Sequence, residues 1–147
     1  MKVKRLTTAS QDVLNVINSL LPVLSGDVAL LTYDKLVEMI NSDNTAIFVA
    51  EEDGEIVGMM TFVTYRIPSG LKAWIEDVVV DNSKQGKGIG RALIEKAMEY
   101  ANQLNIIKID LTTAHFRVAA NALYQKIGFV KRETNVYRLS LIKWENM

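Results

Sequence analysis

Apolar positions change period several times along the chain, and each change marks an element. Val3 to Leu6 makes a short candidate edge strand. Ser10 then precedes Val13, Leu14, Ile17, Leu20 and Leu21, a helical spacing that Ser10 can cap and Pro22 is expected to stop. After the loop Ser25-Gly26-Asp27, Thr32 can cap a second helix carrying Tyr33, Leu36, Val37 and Ile40. Ala46 to Glu51 and Glu55 to Tyr65 are β-rich runs joined at Asp53-Gly54, a pair that accepts the positive φ of a tight hairpin. Arg66 to Gly70 leads into a β-branched run, Ile75 to Val80. A polar turn (Asp81, Asn82, Ser83) and three spaced glycines (Gly86, Gly88, Gly90) follow. Leu93, Ala97, Tyr100 and Leu104 then recur at near-helical spacing. Ile106 to Leu111 is a further strand, parallel to the central one because a helix joins them. A last helix around Ala119 to Lys126 passes through Gly128 to a terminal strand near Val136 to Leu141.

Length and charge narrow the possibilities. A chain of 147 residues is expected to form one domain over 1–147, with a core that needs no metal or disulfide. Its 17 basic and 17 acidic side chains give a formal net charge of +0, so nothing draws the whole molecule to nucleic acid or anionic membrane. Zero cysteines exclude a cysteine-linked acyl-enzyme and thiolate metal sites. The first residues, MKVKRLTTAS, lack an apolar signal region, and no later stretch reaches transmembrane length; a cytoplasmic protein is the expectation.

The stretch Trp74 to Tyr100 carries the chemistry: strand, glycine loop, helix. A helix start exposes unpaired N–H groups with partial positive charge, and glycines let a phosphate approach them without meeting a Cβ. A Walker A loop and the dinucleotide fingerprint both need other spacings. The spacing present is Gln85-x-x-Gly88-x-Gly90, preceded by an Ile-Glu-Asp-Val strand. It resembles the acetyl-CoA pyrophosphate loop of the GCN5-related N-acetyltransferases (GNAT). A second motif, Ala120-Asn121-Ala122-Leu123-Tyr124-Gln125-Lys126-Ile127-Gly128-Phe129, is similar to that family's Ala-x-x-Leu/Phe-Tyr-x-x-x-Gly-Phe segment. The resemblance spans nearly the whole chain and is strongest from Glu55 to Phe129.

The resemblance implies a role for each group. Backbone N–H groups of Gln85, Gly86, Lys87, Gly88, Ile89 and Gly90 would hold the pyrophosphate, with Lys87 as a nearby cation. Lys84 and Arg91 fit a solvated face equally well. Val78, Val79 and Val80 would hydrogen-bond the pantetheine arm through their backbones where the strand bulges and splays from its neighbour, with the Val79 amide facing the thioester oxygen. Tyr124 would lie beside the cofactor sulfur, next to Ala120, and protonate the leaving thiolate. Where many members carry an asparagine that binds the pantetheine arm, this chain has Arg117. An aminoalkylphosphonate-acetyltransferase-like branch shares that arginine, which leaves it to contact cofactor phosphate or an anionic acceptor.

Glu76 is the leading general base, since an amine near pKa ~10 must lose a proton before it attacks. Alternation along the strand places Glu76 and Asp77 on opposite faces, so only one can reach the reacting centre. A carboxylate paired at the pocket rim to Arg66 or Lys72 is the competing reading, preferred for Asp77. His115, the sole histidine, has no partner pattern, and Trp74 and Tyr65 fit packing as well as a pocket wall.

The expected fold is α/β: a mixed, mostly antiparallel GNAT sheet of about six or seven strands, splayed at its centre, with helices on both faces. The expected activity is acetyl transfer from the cosubstrate acetyl-CoA to a primary amine by direct attack in a ternary complex. A small-molecule acceptor is favoured over a protein N-terminus or lysine, and over an acyl-CoA sensor without chemistry. No metal, nucleic acid or membrane is called for, and zero formal charge does not oppose a homodimer.

Overall fold

The computed structural model describes residues 1–141. The strands are β1 (Lys2–Arg5), β2 (Thr45–Glu52), β3 (Glu55–Ile67), β4 (Gly70–Val80) and β5 (Asp110–Leu111). They form one sheet in sequence order. Every neighbouring pair is antiparallel except β4 and β5, which run parallel, as a helical connection requires. Helices α1 (Gln11–Leu24) and α2 (Tyr33–Asn41) lie between β1 and β2 in the chain, and α3 (Ile89–Gln103) joins β4 to β5. These elements make up one compact unit, Met1–Ala114; α4 (Val118–Ile127) belongs to a second that begins at His115.

Local chemistry explains most boundaries. Ser10 Oγ accepts from the Val13 N–H at 3.1 Å and Thr32 Oγ1 from the Lys35 N–H at 3.3 Å, so both expected caps are present. Asp53 and Gly54 take φ of 52° and 79°, the paired positive values of a tight hairpin turn. Pro22 does not stop α1, which runs on to Leu24. So near the helix end its missing N–H removes a single turn bond, and Ser25 N–H still reaches Leu21 O at 3.0 Å.

Both faces of the sheet are covered. On one, Ile47, Val49, Met59 and Val79 pack with Leu14, Ile17, Leu20 and Leu21 of α1 and Leu36 of α2. On the other, Tyr100 of α3 meets the rings of Phe48 and Phe62 edge-on, each at 5.3 Å between centroids. Helix α3 packs tightly over Gly58, where a Cβ would sit 3.1 Å from Ile89 Cγ2 and 3.2 Å from the Val79 carbonyl oxygen. That spacing fixes the depth at which the helix beginning at the glycine loop rests on the sheet.

Three expectations about strands need correction. The described residues form five strands instead of six or seven, and β5 shrinks from the expected Ile106 to Leu111 to its last two residues. Residues 136 to 141 form no strand. Alternation marks a segment that could be a strand, but a strand exists only where a ladder partner completes it. In the second unit, Gly128 (φ 128°) closes α4, and the Tyr124 and Phe129 rings meet at 5.8 Å. No helix among the described residues is long and apolar enough to cross a membrane.

Candidate active site

The site in the first unit starts from an irregularity in β4. Met59 pairs with Val79 but Thr61 pairs with Glu76, so Asp77 and Val78 together oppose Met60 alone. This is a β-bulge, and Asp77 takes φ 51° to make it. Asp and Asn adopt the left-handed region more readily than other non-glycine residues, whereas a β-branched residue such as the following Val78 does not. The extra residue breaks strict alternation between Glu76, which keeps its pairing with Thr61, and Val79. Glu76 and Asp77 are both exposed, and the two carboxyls are close enough for the charge of Asp77 to act on Glu76.

Both carboxyls are harder to ionise than usual. Burial raises Glu76 first and the neighbouring Asp77 charge raises it further; burial alone raises Asp77. Neither is paired with a cation among the described residues, so the expected rim pairing with Arg66 or Lys72 is absent. Glu76 shares its face of the sheet with Thr61, its register partner, on the side covered by α1 and α2. Trp74 Nε1 donates to the Tyr65 hydroxyl at 3.1 Å across the same hairpin.

The bulge also lies where β4 loses a neighbour. β5 pairs with β4 only at Trp74 and Ile75, so from Glu76 to Val80 the β5 side of the strand is open among the described residues. Which amides face that opening follows from the ladder. Asp81 N–H donates to Val57 O at 2.8 Å, and alternate N–H groups of a strand project to the same side. Val79 N–H therefore points to β3, while the amides of Val78 and Val80 point to the opening. The Val80 carbonyl faces the opening too, where it accepts from Gln85 Nε2 at 3.3 Å. The amide expected to face the thioester is thus on the far side of the strand from the gap.

The glycine loop follows directly. Asp81 Oδ1 accepts from the Ser83 N–H at 2.9 Å and the Ser83 hydroxyl at 2.8 Å, bonds that hold its carboxyl below the ordinary range and fix the turn. Gln85 Nε2 also reaches Asn82 Oδ1 at 3.1 Å, tying the loop to its own turn. Gly86 and Gly88 have φ of 79° and 84°, with open space where a Cβ would stand. Gly88 is the N-cap of α3, and no side chain caps the helix or places an acid in its first turn. Its leading N–H groups, those of Ile89 and Gly90 among them, are left for an outside acceptor, a mouth that fits a linked pair of phosphates. The loop cations divide: Lys84 pairs with Glu52 at 3.3 Å and Arg91 with Glu95 at 2.9 Å, while Lys87 has no carboxylate partner among the described residues.

In the second unit Arg117 is the N-cap of α4, accepting through its carbonyl from Asn121 Nδ2 at 2.8 Å. Ala120 lies in the first turn and Tyr124 is the buried residue of the helix. Burial raises the Tyr124 hydroxyl above its usual value, and the charge of Arg117 works against that rise. His115 and Arg117 are exposed. Sequence reasoning undervalued Asp77, although an aspartate inside a β-branched run was a usable sign of a break in the ladder.

A model of the acetyltransferase (GNAT) family matches residues 15–129. The chain belongs to the GNAT family. This GNAT chain is 32% identical over 99 residues to mycothiol acetyltransferase of Amycolatopsis mediterranei, covering 64% of itself and 33% of that protein. It spans less than half the length of the curated relatives it matches. Among solved structures, a putative acetyltransferase from Agrobacterium tumefaciens has a TM-score of 0.80 at 26% identity, with 95% of this chain and 100% of that one aligned. A predicted acetyltransferase from Clostridium acetobutylicum, solved with acetyl-CoA, shares the fold at a TM-score of 0.77 and 17% identity, with 97% of each chain aligned.

Proposed function

We propose that this GNAT chain transfers the acetyl group of acetyl-CoA to a primary amine of a small molecule by direct attack with both substrates bound. The observation that carries the reading is the uncapped mouth of α3 beside the open edge of β4. In this scheme the amides from Gln85 to Gly90 hold the pyrophosphate, Lys87 adds its charge, and the β4 edge from Val78 to Val80 takes the pantetheine arm. Acetyl-CoA supplies an activated acyl carbon and a thiolate leaving group. Val78, the nearer to Glu76 of the two residues with outward amides, replaces Val79 as oxyanion donor.

Glu76 accepts the ammonium proton, directly or through water, so that the free amine attacks the carbonyl carbon. As the C–S bond breaks, the Tyr124 hydroxyl gives its proton to the departing sulfur, and the surplus proton on the attacking nitrogen restores that hydroxyl, directly or through water, as the amide forms; this role rests on the motif around Tyr124. Arg117 and Ala120 are assigned to the cofactor on the same ground. The family match crosses Ala114 without a break, which supports one catalytic domain. A small-molecule acceptor is supported by the named activity of the mycothiol enzyme among the relatives.

Calorimetric titration with coenzyme A, followed by thiol release from acetyl-CoA with a panel of amines, tests the proposal. Saturable binding and amine-dependent release are expected. Absence of coenzyme A binding would overturn the cofactor assignment, and binding without release on any small amine would overturn the acceptor class.

A further inference from the structure

Three of the first five residues are cations, Lys2, Lys4 and Arg5, in a chain whose formal net charge is +0. With Lys96, Tyr100 and Phe48 they line a groove of about 450 Å³ between β1 and the last turns of α3, whose lining also includes the carboxylate of Glu99. That size falls within the range of small-ligand sites. The charges in it are unevenly matched. Lys4 is neutralised by Glu51 at 2.7 Å, and Lys96 reaches Glu99 at 3.4 Å. Lys2 and Arg5 have no carboxylate partner among the described residues.

Arg5 is held by an aromatic group instead. Its Nη1 donates to the Tyr100 hydroxyl at 3.2 Å, and its Cζ stands 5.5 Å from the centre of that ring. Tyr100 is itself fixed edge-on between Phe48 and Phe62. A guanidinium oriented this way keeps most of its five donors free in a planar fork, the geometry that suits carboxylate and phosphate oxygens. Cations on an edge strand also deter pairing with other sheets, and Lys2 alone would fit that purpose. Arg5 does not, because it is the register partner of Phe48 and turns over α3 instead of lying along the open edge.

We propose that this groove binds a small, free, multivalent anion of phosphate or carboxylate type, gripped by the Arg5 fork and flanked by Lys2 and Lys96. It is distinct from the glycine loop: Tyr100 lies about 17 Å along the helix axis from Ile89. The proposal does not depend on the chain being an acetyltransferase.

Amide shift mapping by NMR tests it, with inorganic pyrophosphate in one arm and citrate in the other, each with and without coenzyme A. Saturable shifts are expected at Lys2–Arg5 and Lys96–Gln103, persisting when coenzyme A is present. The arm that saturates at lower concentration tells phosphate from carboxylate chemistry. Arg5→Ala should weaken binding about tenfold, the loss of one charge-assisted fork. Arg5→Lys, which keeps the charge without the fork, should recover only part of it. Lys2→Ala breaks no ion pair among the described residues, so weaker binding there at an unchanged thermal midpoint reports on the groove and not on folding. Shifts confined to Gln85–Arg91, shifts that do not saturate, or unchanged affinity in both alanine variants would overturn the proposal.

Discussion

At the scale of single residues, one aspartate decides how two carboxyls are used. Asp77 supplies the left-handed turn of the bulge, and its charge adds to burial, the larger cause, in keeping Glu76 protonated to higher pH than an isolated glutamate. Asn tolerates the same backbone, so Asp77→Asn should preserve the bulge while removing the like charge. Glu76 must be ionised to accept a proton; easing its ionisation should move the acid limb of the kcat/KM profile to lower pH. An unmoved limb would separate Asp77 from the base. Glu76→Gln should lower kcat by about 10²–10⁴-fold, the usual range for a lost general base. Its effect on stability has the opposite sign. A carboxyl with a raised folded pKa binds its proton more tightly in the native state, so stability falls as pH climbs from the unfolded value through the folded one. The glutamine variant escapes that loss, so its thermal midpoint should exceed the parent's at pH 7 and converge with it below about pH 4. Tyr124→Phe should reduce kcat with little change in acetyl-CoA affinity, and an unaltered turnover number would remove Tyr124 from the scheme. Glu76 and Tyr124 were singled out because each sits in a motif, and their catalytic roles remain part of the proposal. The bulge at Asp77 was not legible, because counting by twos assumes a ladder with no extra residue.

Among elements, what could be read in advance was what neighbouring residues decide. The Asp53-Gly54 hairpin, the Ser10 and Thr32 caps and the loop into α3 all depend on a few consecutive side chains, and all are present. β5 and the segment after Val136 depend on ladder partners distant in sequence, where an apolar run carries no statement of length. The direction of the Val78, Val79 and Val80 amides belongs to this second kind: only the bond from Asp81 N–H to Val57 O settles which of them face the gap. The loop and α3 together make a two-part prediction. Gly88→Ala places a Cβ at φ 84°, costing about 1 kcal/mol of backbone strain. It also crowds the helix mouth, so coenzyme A affinity should fall by more than the drop in thermal midpoint accounts for. Gly58→Val provides the contrast. Its side chain would press on Ile89 and on the Val79 backbone, at a cost of about 1–3 kcal/mol. It should lower the midpoint first and the affinity only through displacement of α3.

For the molecule as a whole, the proposed cofactor mouth is a place where backbone groups face outward without partners among the described residues, and that would tie stability to ligand. Among the described residues the first-turn amides of α3 have no capping side chain, Lys87 has no carboxylate partner, and the outer edge of β4 has no strand beside it past Ile75. None of these groups is satisfied by the fold alone; each is complemented in the proposed complex. Ligand that binds only the native state adds RT ln(1 + [L]/Kd), about 2.7 kcal/mol at a hundredfold excess over Kd. For a chain of this size that corresponds to a rise in thermal midpoint of roughly 5–10 °C. The midpoint should continue to climb with the logarithm of coenzyme A concentration after the site is full. Lys87→Ala should shift that curve to higher concentration while leaving the ligand-free midpoint in place, since Lys87 makes no ion pair among the described residues for the mutation to break. A ligand-free midpoint that falls with Lys87→Ala would show that the lysine supports the fold, and its assignment to the cofactor would then be lost.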